Sequence, residues 1–212
     1  MRMDKVILRA VLSTLAAIAL LVAIMIASCV CFFPSTLMHL TYNLGMEKSA
    51  MRYAERAYKL DGGVYYLSCA FEIAVGELDY SAVEKYGEKM IEKGESFEKF
   101  CAQKDEESVG VVGSYEQYVY GHTFSARFRN GEKQSAIDSA FAVVEDSFPV
   151  NNAVMKVLLA VLRSGDIESA TAMRDRMTEL RAIEQASGSY GEDDFSYLDE
   201  MIALASRYIP AE

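Results

Sequence analysis

Hydrophobic positions are arranged in two different ways along this chain. From Ala10 to Phe33 they are continuous, and the 24-residue run AVLSTLAAIALLVAIMIASCVCFF has no ionisable side chain. After Pro34 they recur three and four residues apart between polar positions, the spacing of amphipathic helices. The first pattern predicts one long helix without a polar face; the second predicts an all-α body. As a helix the run is about 36 Å long at ~1.5 Å per residue, enough for a hydrocarbon core of about 30 Å. Twelve of its residues are Leu, Ile, Val or Phe. At roughly 0.3–0.6 kcal/mol each they favour insertion by about 4–7 kcal/mol.

Residues 10–33 are therefore expected to be a transmembrane helix and residues 1–9 a cytoplasmic tail. Arg2, Lys5 and Arg9 precede the run, against Lys48 and Arg52 shortly after it, a small bias that places the N-terminus inside and the body outside the cytoplasm. A cleaved signal peptide is the first alternative, but its apolar core is usually about 7–15 residues. Lipidation is the second, because Ile26-Ala27-Ser28-Cys29 resembles a bacterial lipobox; Val30, Cys31, Phe32 and Phe33 instead continue the apolar run. Pro34 is expected to stop or kink the helix.

Charge sharpens the contrast. Residues 34–212 carry 18 basic and 30 acidic groups, net -12. So acidic a body repels phosphate, and no nucleic-acid partner is expected.

The body also repeats itself. Residues 131–143, GEKQSAIDSAFAV, and 165–177, GDIESATAMRDRM, align with both Gly131 to Gly165 and Ala136 to Ala170 separated by 34. Residues 45–57 and 76–90 show the same theme, with Ala50 and Ala82 separated by 32. Between Ala82 and Ala136 the period is lengthened by 20 residues, assigned to an insertion at 94–113. Small residues at Ala50, Ala82, Ala136 and Ala170 let two helices approach closely, and Gly45, Gly131 and Gly165 suit left-handed helix ends. Lys89 and Arg127 depart from the pattern, and only Pro149 stands near a unit end.

These segments resemble the tetratricopeptide repeat (TPR), a helical hairpin of about 34 residues. The resemblance implies a fold: an N-terminal transmembrane helix followed by a TPR-like α-solenoid of about four hairpins, 34–93 and 114–184, closed by a capping helix at 193–209. In the insertion, Phe97, Phe100 and Cys101 share one face of a short helix before a polar KDEES and a flexible GVVGS. In the cap, Phe195, Leu198, Ile202, Ala205 and Ile209 form the apolar stripe, with Asp193 or Asp194 as N-cap.

The resemblance further implies a concave groove for a protein or peptide partner. Carried over by register, it is lined by His39, Tyr42 and Asn43, then Leu67, Phe71 and Val75, then Tyr118, Ser125, Phe128 and Arg129, then Asn152, Met155, Leu159 and Arg163. That composition suits an amphipathic helix or an extended apolar segment. The lysine and asparagine set that clamps a terminal carboxylate in chaperone-binding members is absent. Alternatively Phe71 and Leu159 pack against the cap or insertion, and the protein is a structural subunit with a covered groove, or a lipoprotein-like surface receptor.

Catalysis finds little support. His39 and His122 stand alone, without a nucleophile elbow, a zinc-binding helix or a phosphate-cradling loop. A non-catalytic scaffold or adaptor at the membrane surface is expected, with no cofactor and no metal. Cys69 and Cys101 admit either a disulfide, if the body is extracytoplasmic, or two buried thiols. Lys48, Arg52, Arg56 and Lys59 share a face of one helix close to the span, a basic stripe that either meets anionic lipid headgroups or is an ordinary solvated face.

Overall fold

A computed structural model of the chain describes residues 2–107, 114–144, 152–188 and 191–210; the side chains of residues 2–8, Cys29, Cys31 and Asp193 lie outside that description, as do residues 108–113 of the insertion and Pro149. The described residues form eleven α-helices and one 3-10 turn, and no strand. They fall into two compact units, Met1–Ala70 and Phe71–Glu212.

The first unit contains α1 (Arg2–Phe32), α2 (Pro34–Asn43), α3 (Glu47–Asp61) and the start of α4 (Val64–Gly76). Within α1, the segment Arg9–Ser28 is long and apolar enough to cross a membrane, and none of it is buried. Phe33 interrupts the helix with φ −130° and ψ 49°, and Pro34 opens α2 at a position where its missing N–H has no helical partner to lose. Helices α2 and α3 pack together, burying Met38 and Thr41 from one and Ala50, Met51, Ala54 and Ala57 from the other.

The second unit continues with α5 (Tyr80–Ile91), α6 (Glu95–Glu107), α7 (Tyr115–Arg129), α8 (Lys133–Ala142), α9 (Asn152–Ser164), α10 (Ile167–Ser187) and, after a 3-10 turn at Glu192–Phe195, α11 (Ser196–Tyr208). Helix α7 packs on α5, α6, α8 and α9; α9 also packs on α8, α10 and α11. The core between them holds Phe124, Phe128, Ile137 and Phe141, then Val157, Leu158 and Val161, then Met173, Met177, Phe195, Leu198 and Met201. Asp79, Ser114 and Asp166 cap α5, α7 and α10, each side chain accepting a backbone N–H three residues on.

The polar KDEES segment is more helical than expected, because α6 runs on through Glu107. Phe97 and Cys101 are buried, and the Phe97 ring meets Tyr120 of α7 edge-on at 6.0 Å. The last helix starts later than the cap reading placed it: Phe195 stands at its N-cap, while the Asp194 carboxylate accepts the N–H of Gly191 at 2.8 Å. Its buried stripe takes Met201, with Ile202 only half-buried.

One register needs correcting. Gly45, Gly131 and Gly165 all have positive φ, and Leu78 has φ 55°. The chain closes after α2, α4 and α7 with the same bond, a 6→1 turn from the N–H of Met46 to Thr41, of Asp79 to Ala74 and of Glu132 to Arg127. Leu78 thus occupies the place held by Gly45 and Gly131. The close-packed residue five positions on is Val83, buried, and not Ala82, which is half-exposed. The departure at Lys89 disappears with the same shift, since Met90, fully buried, takes the inward position.

Two glycines set how closely the helices approach. A Cβ on Gly87 of α5 would lie 1.9 Å from Thr123 Oγ1 of α7. One on Gly121 of α7 would lie 3.1 Å from the Asn152 carbonyl oxygen and 2.9 Å from Lys156 Cγ of α9.

Candidate functional site

Tyr118, His122, Ser125 and Arg129 are spaced four, three and four along α7 and fall on one face, half-exposed except for the exposed Arg129. Beside them α9 offers Asn152, Met155, Lys156 and Leu159, all half-exposed, and the exposed Arg163. The seam between the helices is tied by Lys156 Nζ, 3.1 Å from His122 Nε2. The His122 ring lies against Tyr118, with centroids 4.6 Å apart, and Phe71 meets both rings edge-on at 6.5 and 6.1 Å. Tyr115 stacks on Tyr118 at 5.7 Å, and its hydroxyl donates to Glu72 Oε1 at 2.8 Å.

Electrostatics follow from this packing. Burial, reinforced by the Lys156 ammonium, lowers His122 to about 4, so the imidazole is neutral at neutral pH. A lysine N–H pointing at Nε2 then requires the ring proton on Nδ1. Burial, followed by the nearby Glu72 carboxylate, raises Tyr118 and keeps its hydroxyl protonated. The strip therefore presents aromatic faces and a neutral imidazole, with a carboxylate at one side and an ammonium at the other.

The residues expected to line a groove divide by burial. Leu67 and Phe71 are 0% exposed and Phe128 is 3% exposed, so none of the three has surface to offer a partner. Val75, Tyr118, Met155 and Leu159 are half-buried; Tyr42, Arg129 and Arg163 are exposed. Arg129 is engaged with α5, its guanidinium 4.7 Å above the Tyr80 ring. Tyr42 belongs to the first unit, as do the exposed His39 and Asn43. His122 and Lys156 were missed. They are 34 residues apart, the repeat period itself, and that coincidence was the available signal.

Other chemistry-bearing groups are tied into packing. Arg127 bridges three helices, with its guanidinium on Glu84 and Glu88 of α5 and 2.6 Å from Ser139 Oγ of α8. An open depression of about 560 Å³ beside it is lined by Glu84, Lys85, Glu88, Lys89, Asn130 and Glu132. No disulfide joins Cys69, which is half-buried, to Cys101, which is buried. Burial, then the carboxylates of Glu116, Asp105 and Glu98, pushes the Cys101 thiol up to about 12. Among the described residues no group of three or more His, Cys, Asp or Glu side chains is placed to hold a metal ion.

In the first unit, Lys48, Arg52, Arg56 and Lys59 are all exposed on α3. Lys59 Nζ lies 3.9 Å from Glu55, which with Arg52, Arg56 and Leu60 borders a shallow depression. The stripe is thus a continuous exposed face, tempered by an acid at its middle.

The chain matches no protein-family model, and comparison with curated proteins gives no match.

Proposed function

We propose that this protein is a membrane-anchored, non-catalytic helical adaptor that holds a protein or peptide partner at the membrane surface through the exposed faces of α7 and α9. The observation that carries the reading is the half-exposed strip Tyr118, His122, Met155 and Leu159, aromatic and apolar side chains brought side by side at the surface of two packed helices. Such a strip suits an amphipathic helix, whose few apolar anchors dominate affinity. The anchor is the apolar, unburied segment Arg9–Ser28 of α1, proposed to cross once with the body outside the cytoplasm. Confinement to the surface raises the effective concentration of the strip toward partners in the same membrane.

A TPR-like solenoid is supported by the recurrence of glycine and alanine near every 34 residues and by full burial of Ala50 and Ala136. It is further supported by the order of contacts, in which α7 packs on α9 and α8 on α9. The basic stripe of α3 is proposed to meet anionic headgroups, at about 1 kcal/mol per residue near the surface.

The test is substitution in the intact protein. Leu159→Asp, at a half-exposed position, is expected to abolish partner capture while shifting stability by less than about 1 kcal/mol. Unchanged capture by a folded Leu159→Asp protein contradicts the reading. Protease digestion of the body in intact cells checks the topology, with full protection refuting the outward orientation.

A further inference from the structure

Helix α2 has two apolar faces and uses only one. Pro34, Met38 and Thr41 are buried, whereas the half-buried Leu37 and the exposed Leu40 and Leu44, spaced three and four, form a second stripe that the N-cap residue Phe33 extends. Phe33 is 58% exposed, Leu40 52% and Leu44 65%. A stripe at helical spacing that is left uncovered needs an occupant.

Three observations point to lipid. First, the stripe continues directly from the exposed Phe32 at the end of α1, with Phe33 alone between the helices. Second, no Asp, Glu, Lys or Arg occurs from Ala10 to Met46, so α2 carries no formal charge to keep it in water. Third, the lengths agree. If Arg9–Ser28 fills a hydrocarbon core of about 30 Å, Phe33 lies about 7 Å beyond it. That falls within the interfacial layer, which is roughly 5–8 Å deep on each side.

We infer that α2 is an interfacial helix whose Phe33, Leu37, Leu40 and Leu44 stripe inserts at the boundary between headgroups and acyl chains of the bilayer that α1 crosses. This rests on the membrane reading of α1. The insertion fixes the height and tilt of α3, whose Lys48 and Arg52 lie in its first two turns. It also removes Leu40 and Leu44 from any partner surface, leaving that task to the second unit.

The chain has no tryptophan, so single introduced tryptophans report one position each. The full-length protein is reconstituted into phosphatidylcholine and phosphatidylglycerol vesicles in which the phosphatidylcholine carries bromine, a contact quencher, at shallow or deep acyl positions. Leu21→Trp, in the middle of α1, is expected to be quenched by deep bromine. Leu40→Trp and Leu44→Trp are expected to be quenched by shallow bromine, and Tyr42→Trp, on the opposite side of α2, far less than either. If Leu21→Trp is quenched while Leu40→Trp and Leu44→Trp respond no more than Tyr42→Trp, the span stands and the interfacial helix is refuted. An unquenched Leu21→Trp overturns the membrane reading and this inference with it. Emission at Leu40→Trp and Leu44→Trp that is shielded from bromine and depends on the protein-to-lipid ratio assigns the stripe to a second copy, and likewise overturns it.

Discussion

Helices α1 and α9 are both built largely from Ala, Val, Leu and Met, and they end in opposite environments. Helix α9 buries Ala153, Val154, Val157, Leu158, Ala160, Val161 and Leu162, and turns Asn152, Lys156 and Arg163 outward or into a seam. Its polar residues leave one side continuously apolar, and neighbouring helices of the same chain cover that side. Helix α1 has no charged residue between Arg9 and its last residue, so no orientation about its axis separates apolar from polar, and none of its span is covered. Apolar content alone does not distinguish the two. The distribution around the helix does: the chain covers the apolar side of α9, and a lipid phase is the proposed solvent of α1.

The largest expected effect breaks this contrast from both sides. Leu158→Asp places a carboxylate at a fully buried position and is expected to cost more than about 4 kcal/mol, enough to unfold the second unit. Leu21→Asp is expected to leave that unit folded and to weaken insertion by about 3 kcal/mol. Circular dichroism of the detergent-solubilised protein, with alkaline extraction of membranes, separates the two losses.

Next in size is the seam. Gly121→Ala sets a methyl group against the Asn152 carbonyl, which is backbone and cannot swing aside as the Lys156 stem can. A loss of about 1–3 kcal/mol is expected in denaturant melts. Ala23→Leu in α1, facing no packed helix, is expected to change the same melts by less than about 0.5 kcal/mol.

Sequence reasoning recovered the helices and misplaced one register, for a physical reason. Aligning the second repeat on Gly76 put Ala82 inward, because glycine was taken as the marker of the left-handed turn. In this chain Leu78 adopts that turn without being glycine. The aspartate caps carry the true register: Asp79 and Asp166 accept from Ala82 and Ser169, and aligning them puts Val83 opposite Ala170. The strip itself was only half legible. Tyr118, Met155 and Leu159 follow from register, whereas the joining of His122 to Lys156 depends on how closely Gly121 lets α9 approach. Phe71 and Phe128 read as surface because periodicity locates a face without saying whether another helix covers it. A left-handed leucine costs roughly 1–2 kcal/mol, so Leu78→Gly, 67% exposed and with little packing to lose, is expected to raise stability by about 1 kcal/mol.

The smallest effect is the pH response of the seam. His122 is lowered from 6.5 to about 4 in the folded protein, so between those values the unfolded chain binds the proton and the folded one does not. Stability contributed by the neutral imidazole is full above pH 6.5 and is lost as pH falls toward 4. Because the ring is half-exposed, the slope should stay well below the limit of about 1.4 kcal/mol per pH unit for one proton. His122→Gln is expected to flatten the difference between melts at pH 7 and pH 5, and an unchanged pH dependence would refute the assignment.

In the proposed function the exposed face of α7 and α9 holds a partner at the membrane. The most direct measurement is photocrosslinking in the native membrane, with the same reactive side chain placed in turn at Leu159 and at the exposed Glu179 of α10. One discrete crosslinked partner is expected from position 159 and none from 179. Identical product patterns from the two positions, or no product from 159 in a folded and inserted protein, would contradict it.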